Sequence, residues 1–410
     1  MLVRRNVIPW APAALVAIFL LATSCASHDG TASASRATPS AFAPHGYVEG
    51  AQEKAEQQSR LLLNDPATGD TRVLDLITGE THEVSRTTGT TELTTDGRFG
   101  YFHTAGGTRV LDSGAWMVDH GDHVHYYRAA VRDVGRLPGG PGTRVRSDAA
   151  VTAVTDEEGR TRIYRRAGLE KGNAGSARTL SGTHAGAVVP YAEHLLGVAD
   201  NGEVAVYDRE GERAASPDAR CEEMRGDALT RRGVVLGCAD GALLVREVDG
   251  TFTAEKIPYG SDVPEAERVT AFRHRPGSDT LTAPAGKRAV WVLDVSERTW
   301  TRVKTGPLVS ANTAGEGSVL IVLETDGALH GYDIATGKQV SRTKPLLTGA
   351  PDAGREGGDA GPVIEVDRSR AYLNDLKGKR VYEIDYNDNL RIARTFDLDI
   401  EPALMVETGR

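Results

Sequence analysis

Leu195-Leu196-Gly197-Val198-Ala199-Asp200-Asn201-Gly202-Glu203-Val204-Ala205-Val206-Tyr207-Asp208 is the stretch on which the fold turns. Two apolar runs flank an Asp-Asn-Gly turn, and the second run ends in aspartate. Such a stretch reads as an antiparallel hairpin. The same template recurs at 61–65 with 71–75, at 234–241 with 242–247, at 319–327 with 328–333, and at 371–378 with 380–385. Residues 98–112, 151–165 and 281–301 fit it as well. Several units continue into a further turn and a polar strand, as at 334–338. Eight units recur at a mean spacing of about 44 residues, the period of a propeller blade. One four-stranded sheet cannot hide two apolar faces, whereas radial stacking of sheets hides both. The expected fold class is therefore all-β, a single β-propeller over residues 59–410. Eight blades are expected, or seven if one hairpin is an insertion. The first hairpin has no inner strand before it. The C-terminal stretch 401–406 is expected to supply that strand and close the ring. Residues 48–58 read as a short helix leading into the body.

Composition agrees with a large folded body. The 410 residues are 40% hydrophobic and 26% charged, and 46 glycines and 18 prolines provide turns. With 48 Lys+Arg against 57 Asp+Glu the formal charge is −9. An acidic balance argues against a nucleic-acid partner or an anionic membrane surface. Three cysteines exclude a disulfide-dense scaffold and a cysteine-rich zinc ribbon.

The N-terminus reads as an address. Arg4 and Arg5 precede an apolar run over 7–23 that ends in Leu21-Ala22-Thr23-Ser24-Cys25. A positive start, a short apolar run and small residues describe a secretory signal over 1–25. The run is shorter than the roughly 20 residues a membrane span needs. Cys25 after small residues resembles a bacterial lipobox, with the usual leucine displaced by one place. Lipidation there would anchor the chain to the outer face of the membrane. Simple secretion with an unmodified Cys25 is the alternative. Residues 26–58 read as a flexible tether and lead-in, since 26–44 are mainly Ser, Ala, Thr and Pro. Outside the cytoplasm Cys221 and Cys238 are expected to form a disulfide. The loop it closes is short, so its stabilisation is about 3 kcal/mol. Two buried thiols are the other reading.

Eleven histidines are unevenly spread. Asp119-His120-Gly121-Asp122-His123-Val124-His125-Tyr126-Tyr127 holds three of them with two carboxylates. In a strand, His123 and His125 point to one face and can chelate one ion. Gly121 permits a turn that brings His120 or Asp122 nearer. Imidazoles and carboxylates suit Zn²⁺, with three or four ligands. His184 is the first candidate to complete the set, because innermost strands line a propeller's channel. His103, His194 and His274 are weaker candidates, with His194 read as a core residue. His28, His45, His82 and His330 read as linker or surface. A solvated loop with aspartate-capped turns is the competing account of the cluster.

The Asp-His-Gly-Asp-His-x-His run at 119–125 resembles the signature of the periplasmic zinc metallochaperones. His184-Ala185-Gly186-Ala187-Val188-Val189-Pro190 with His194-Leu195-Leu196 resembles a second segment of that family. Cys221 with Gly237-Cys238-Ala239-Asp240-Gly241 resembles a third, which carries the disulfide. The resemblance implies a β-propeller that hands zinc to the solute-binding protein of a zinc ABC importer. It implies His120, His123, His125 and His184 as zinc ligands, with Asp122 as a possible addition. Where it would place a histidine shortly after Cys221, this chain has Met224 and Arg225.

Three functions are compatible with these residues. One is an extracytoplasmic, lipid-anchored zinc metallochaperone. Another is a metal-free propeller serving as a binding or assembly platform. The last is a metal-dependent hydrolase or lactonase. No Gly-x-Ser-x-Gly, His-Glu-x-x-His or paired acid/base constellation occurs, so the chain is not expected to be an enzyme.

Overall fold

The computed structural model describes residues 46–121, 123–351 and 360–410. Cys25, Asp122, His28 and His45 lie outside them, and so does the expected signal segment.

The regular structure of the described residues is antiparallel strand, apart from one five-residue helix at Arg166–Glu170 and one 3₁₀ turn at Glu265–Glu267. Eight sheets follow one another along the sequence, each an up-and-down meander. The second to fifth sheets and the last two have four strands each. The sixth has three, and an isolated bridge between Arg273 and Thr282 stands where its inner strand would lie. The first sheet combines both ends of the chain. Leu404–Thr408 pairs with Arg60–Asn64, in the register Leu62 opposite Val406. The C-terminus thus supplies the missing inner strand.

Burial explains why the strands read as continuous apolar runs. Leu61, Leu62 and Leu63 are all fully buried, although their side chains alternate between faces. Leu61 and Leu63 pack with Tyr372, Val381 and Phe396 of the eighth sheet. Leu62 packs with Phe102 and Leu111 of the second. Each later sheet meets its sequence neighbours in the same way. Leu196 and Val206 of the fourth join Val234 and Leu243 of the fifth, for example. Sheets sandwiched on both sides are propeller-like packing.

The recurrent aspartate has a local role. At the end of the third strand of several sheets its side chain caps the following turn. Asp75 accepts from the Ile77 and Thr78 amides, and Asp208 from Glu210 and Glu212. Asp294 accepts from Ser296 and Glu297. Asp112 holds the equivalent place in the second sheet and accepts from the Gly114 amide. There the chain departs from the pattern. Instead of a tight turn it runs into an extra hairpin, Ala115–Asp119 and Val124–Arg128, before the outer strand Arg132–Leu137.

A short strand, Gln52–Lys54, adds to the free edge of that hairpin. This corrects the helix expected over 48–58. Three backbone registers with Tyr126, Tyr127 and Arg128 satisfy amides that a short isolated helix would leave to water. Cys221 and Cys238 are joined in a disulfide, with S–S 2.05 Å. The bond ties the approach to the fifth sheet to that sheet's second strand.

Candidate metal centre on an inserted hairpin

The extra hairpin carries the histidine motif. Trp116 anchors its base. Its ring stacks on Tyr127 at 5.3 Å, the Arg98 guanidinium lies 3.7 Å from its centroid, and its indole N–H donates to the Gly46 carbonyl. Arg98 is itself held in a buried two-point pair with Asp112. The tip is a tight reversal. The Gly121 amide donates to Asp119, the His120 amide donates to the His123 carbonyl, and Gly121 has φ +86°. Few residues other than glycine adopt that conformation without strain.

This reversal brings His120, His123 and His125 together. One nitrogen of each ring lies within 4.8 Å of the others. The ring centroids of His120 and His123 are 4.9 Å apart, and so are those of His123 and His125. His123 Nε2 and His125 Nε2 approach to 3.1 Å. Two nitrogens bound to one tetrahedral zinc at about 2.0–2.1 Å would stand about 3.3 Å apart. The pair is therefore close to chelating separation.

Glu53 is a partner that the sequence did not reveal. His125 Nδ1 donates to Glu53 Oε1 at 2.6 Å. Glu53 pairs with Tyr127 in the strand register, two places along the same face from His125. A carboxylate on Nδ1 fixes the tautomer and leaves the Nε2 lone pair free for a metal. The pairing joins residues 72 apart, across an expected helix, so no local signal could have named it.

His184 is not brought to this group. Within a meander, the turn after the first strand and the turn after the third share one end of the sheet. The inserted hairpin follows a third strand, so it lies at that end. His184 lies on the connection between the third and fourth sheets, at the other end. Its amide donates to Gly159 in the second-to-third-strand turn of the third sheet, and it bridges Ala199 in the matching turn of the fourth. His184 is 3% exposed and packs edge-on against Tyr207, and its Nε2 has no hydrogen-bond partner among the described residues. Burial holds its pKa below the usual histidine value.

The remaining histidines divide by burial. His103 is fully buried between the Thr94 and Thr108 hydroxyls, and burial pushes it down to about 4. His194 Nδ1 donates to the Ala192 carbonyl at 2.7 Å, and the ring lies against Phe252. His82 is exposed. His330 is 5% exposed, which corrects its reading as a surface residue. The inner wall does not assemble a histidine site at the hairpin's end. Met117 and Asp119 line a cavity of about 530 Å³ there, together with Arg146, Arg231, Arg368 and Arg410. Of the described histidines only His274 lines it, held down to about 4 by burial and then by Arg410. Among the described residues, the metal-capable group at this end is the three hairpin imidazoles, two exposed and His125 half-buried.

No protein-family profile matches the chain, and no curated protein matches it. Solved structures do. AztD from Citrobacter koseri superposes with a TM-score of 0.70 at 18% identity, over 86% of this chain and 98% of that one. The fold is the one AztD has. The apo form of AztD from the same organism gives 0.70 at 17% identity, with the same coverage. The dihydro-heme d1 dehydrogenase NirN gives 0.54 at 14% identity, over 87% of this chain and 76% of that one. Neighbours as different as AztD and NirN show that the scaffold alone does not select a chemistry. The site must do so. Among the described residues no helix is long and apolar enough to cross a membrane.

Proposed function

We propose that this protein is an extracytoplasmic zinc metallochaperone. It binds zinc at His120, His123 and His125 and delivers it to the solute-binding protein of a zinc ABC importer. The observation that carries the reading is the convergence of three imidazole nitrogens within 4.8 Å at the tip of one hairpin. The likeness to AztD supports it at the level of fold alone. The motif at 119–125, which resembles the signature of the periplasmic zinc metallochaperones, supports it independently of the fold. We read the eight sheets as blades of one closed ring, with the C-terminal strand as its clasp. We also read Cys25 as the lipidated first residue of the mature chain.

Transfer without loss to water requires ligands that can be exchanged one at a time. A site on an exposed hairpin meets that need. His120 and His123 are exposed, and the ion would stand at the molecular surface where a partner's ligands can enter. A fourth position, open to water or an incoming ligand, completes the tetrahedron. In this reading zinc is cargo, and the chain performs no bond-making chemistry on a substrate.

Two measurements test the reading. Zinc titration against a chromophoric chelator should show a tight equivalent that disappears in the H123A/H125A variant. The zinc-loaded protein should then fill the metal-free solute-binding protein in the presence of a chelator trap, where free zinc cannot. Tight binding without transfer would reduce the reading to zinc storage. Absence of the tight equivalent in a folded protein would leave a metal-free platform as the better account.

A further inference from the structure

A second group of ligand-bearing side chains converges in the seventh sheet. Glu324 ends the strand Leu320–Glu324, Asp326 sits in the turn that follows, and His330 lies on Leu329–Tyr332. One ligand atom of each falls within 4.8 Å of the others. This turn joins a second strand to a third, so it lies at the opposite end of the sheets from the histidine hairpin.

Neighbouring groups hold the far side of each ligand. Tyr332 O–H donates to Glu324 Oε1 at 2.6 Å, and the Gly306 amide donates to the same oxygen at 2.9 Å. The Ala328 amide donates to Asp326 Oδ1 at 3.0 Å. His330 Nδ1 stands 3.1 Å from Gln339 Oε1, and its Nε2 faces the two carboxylates. That nitrogen stands 3.6 Å from Glu324 Oε2 and 3.1 Å from Asp326 Oδ2. These edges bracket the roughly 3.3 Å expected between ligands of one tetrahedral zinc. Position 306 is glycine for a steric reason. A Cβ there would fall onto Glu324 Oε2.

Arg342 pairs with Asp326 at 2.7 Å. Glu324 is buried, and among the described residues His330 is its only ion-pair partner. Either a proton on His330 Nε2, donated to Asp326 at 3.1 Å, or a divalent cation in that proton's place offsets these carboxylates.

We propose that Glu324, Asp326 and His330 form a second divalent transition-metal site, with a fourth position open to water. One imidazole and two carboxylates suit zinc, cobalt or nickel. The site shares no residue with the hairpin and does not depend on its role.

The test uses the full protein stripped of metal, with Zn²⁺ and Co²⁺ as probes. H123A/H125A should retain one equivalent, with the visible bands of tetrahedral Co²⁺. Adding H330Q should abolish it, while H330Q alone should leave the hairpin's equivalent intact. E324Q, nearly the same shape, covers the case in which H330Q does not fold. If H123A/H125A binds no metal at micromolar concentration, the second site is overturned whatever the parent binds. If the parent and H123A/H125A bind equally, the hairpin reading fails and the second site stands.

Discussion

The inserted hairpin and the sheets it grows from both carry histidine, and they treat it in opposite ways. In the sheets His103 is sealed between two threonine hydroxyls and kept neutral by burial. On the hairpin His120, His123 and His125 face one another at the surface, and one of them leans on a carboxylate from a distant strand. Burial with saturated partners makes an imidazole a core residue. Exposure with nitrogens facing each other makes it a ligand in waiting. The largest expected effect separates the two regions. H123A/H125A should weaken zinc binding on the order of 1,000-fold, about 4 kcal/mol, since outer-shell changes alone cost 10–100-fold. His184→Ala, at the other end of the sheets, should leave that equivalent in place and lower stability instead. Zinc affinity lost in His184→Ala at full stability would break the comparison.

The disulfide belongs to the sheets and should behave so. C221S/C238S should cost about 3 kcal/mol in denaturant unfolding, because a cross-link over 17 residues restricts the unfolded chain. Zinc affinity of the folded variant should be unchanged. A parallel loss of affinity would mean that the hairpin and the fifth sheet are coupled.

His103 supplies the next step, through pH. Its folded pKa is about 4, against about 6.5 unfolded. Below pH 6.5 the unfolded chain takes up a proton that the folded chain refuses. Its contribution to stability is therefore complete above pH 6.5 and falls as pH drops towards 4. Between pH 7 and 5 the loss is about 2 kcal/mol. Burial raises Glu407 to about 8, and that group acts with the opposite sign over 4.5–8. The measurement is accordingly the difference between the parent and His103→Gln in urea at the two pH values. Equal differences at pH 7 and 5 would remove His103 from the account.

How much of this was legible follows from the range of the signals. Hairpins, their aspartate-capped turns and the C-terminal inner strand are local or periodic, and 61–65, 195–208, 371–385 and 401–406 announce them directly. The triad was legible for the same reason, since one turn brings 120, 123 and 125 together. The failures were all long-range. His184 carries a suggestive neighbourhood, but the sheet's connectivity sends it to the far end. His330 looked exposed beside a glycine and a turn, and cross-strand packing buried it. Residues 48–58 carry helix-forming Glu, Gln, Lys and Ala, and an open hairpin edge claimed Gln52–Lys54 as strand. That pairing placed Glu53 on His125, a contact no pattern within either segment encodes.

Glu53 also offers the finest test of the contrast. Its carboxylate is 44% exposed, so as an ion pair alone it would contribute little. As an orienting group it fixes which nitrogen of His125 meets the metal. Glu53→Gln keeps the shape and one acceptor oxygen but removes the charge. Zinc affinity should fall about tenfold, at the lower end for an outer-shell partner because water competes for the site. Thermal stability should move by less than about 0.5 kcal/mol, as for other surface substitutions. The Nδ1–H resonance of His125, followed with and without zinc, separates orientation from packing. In the parent it should persist as zinc binds, and in the variant it should exchange faster. If Glu53→Gln binds zinc like the parent and Glu53→Ala does too, the Gln52–Lys54 strand only covers the hairpin edge. A loss in both variants with unchanged unfolding would make the N-terminal strand a working part of the metal site.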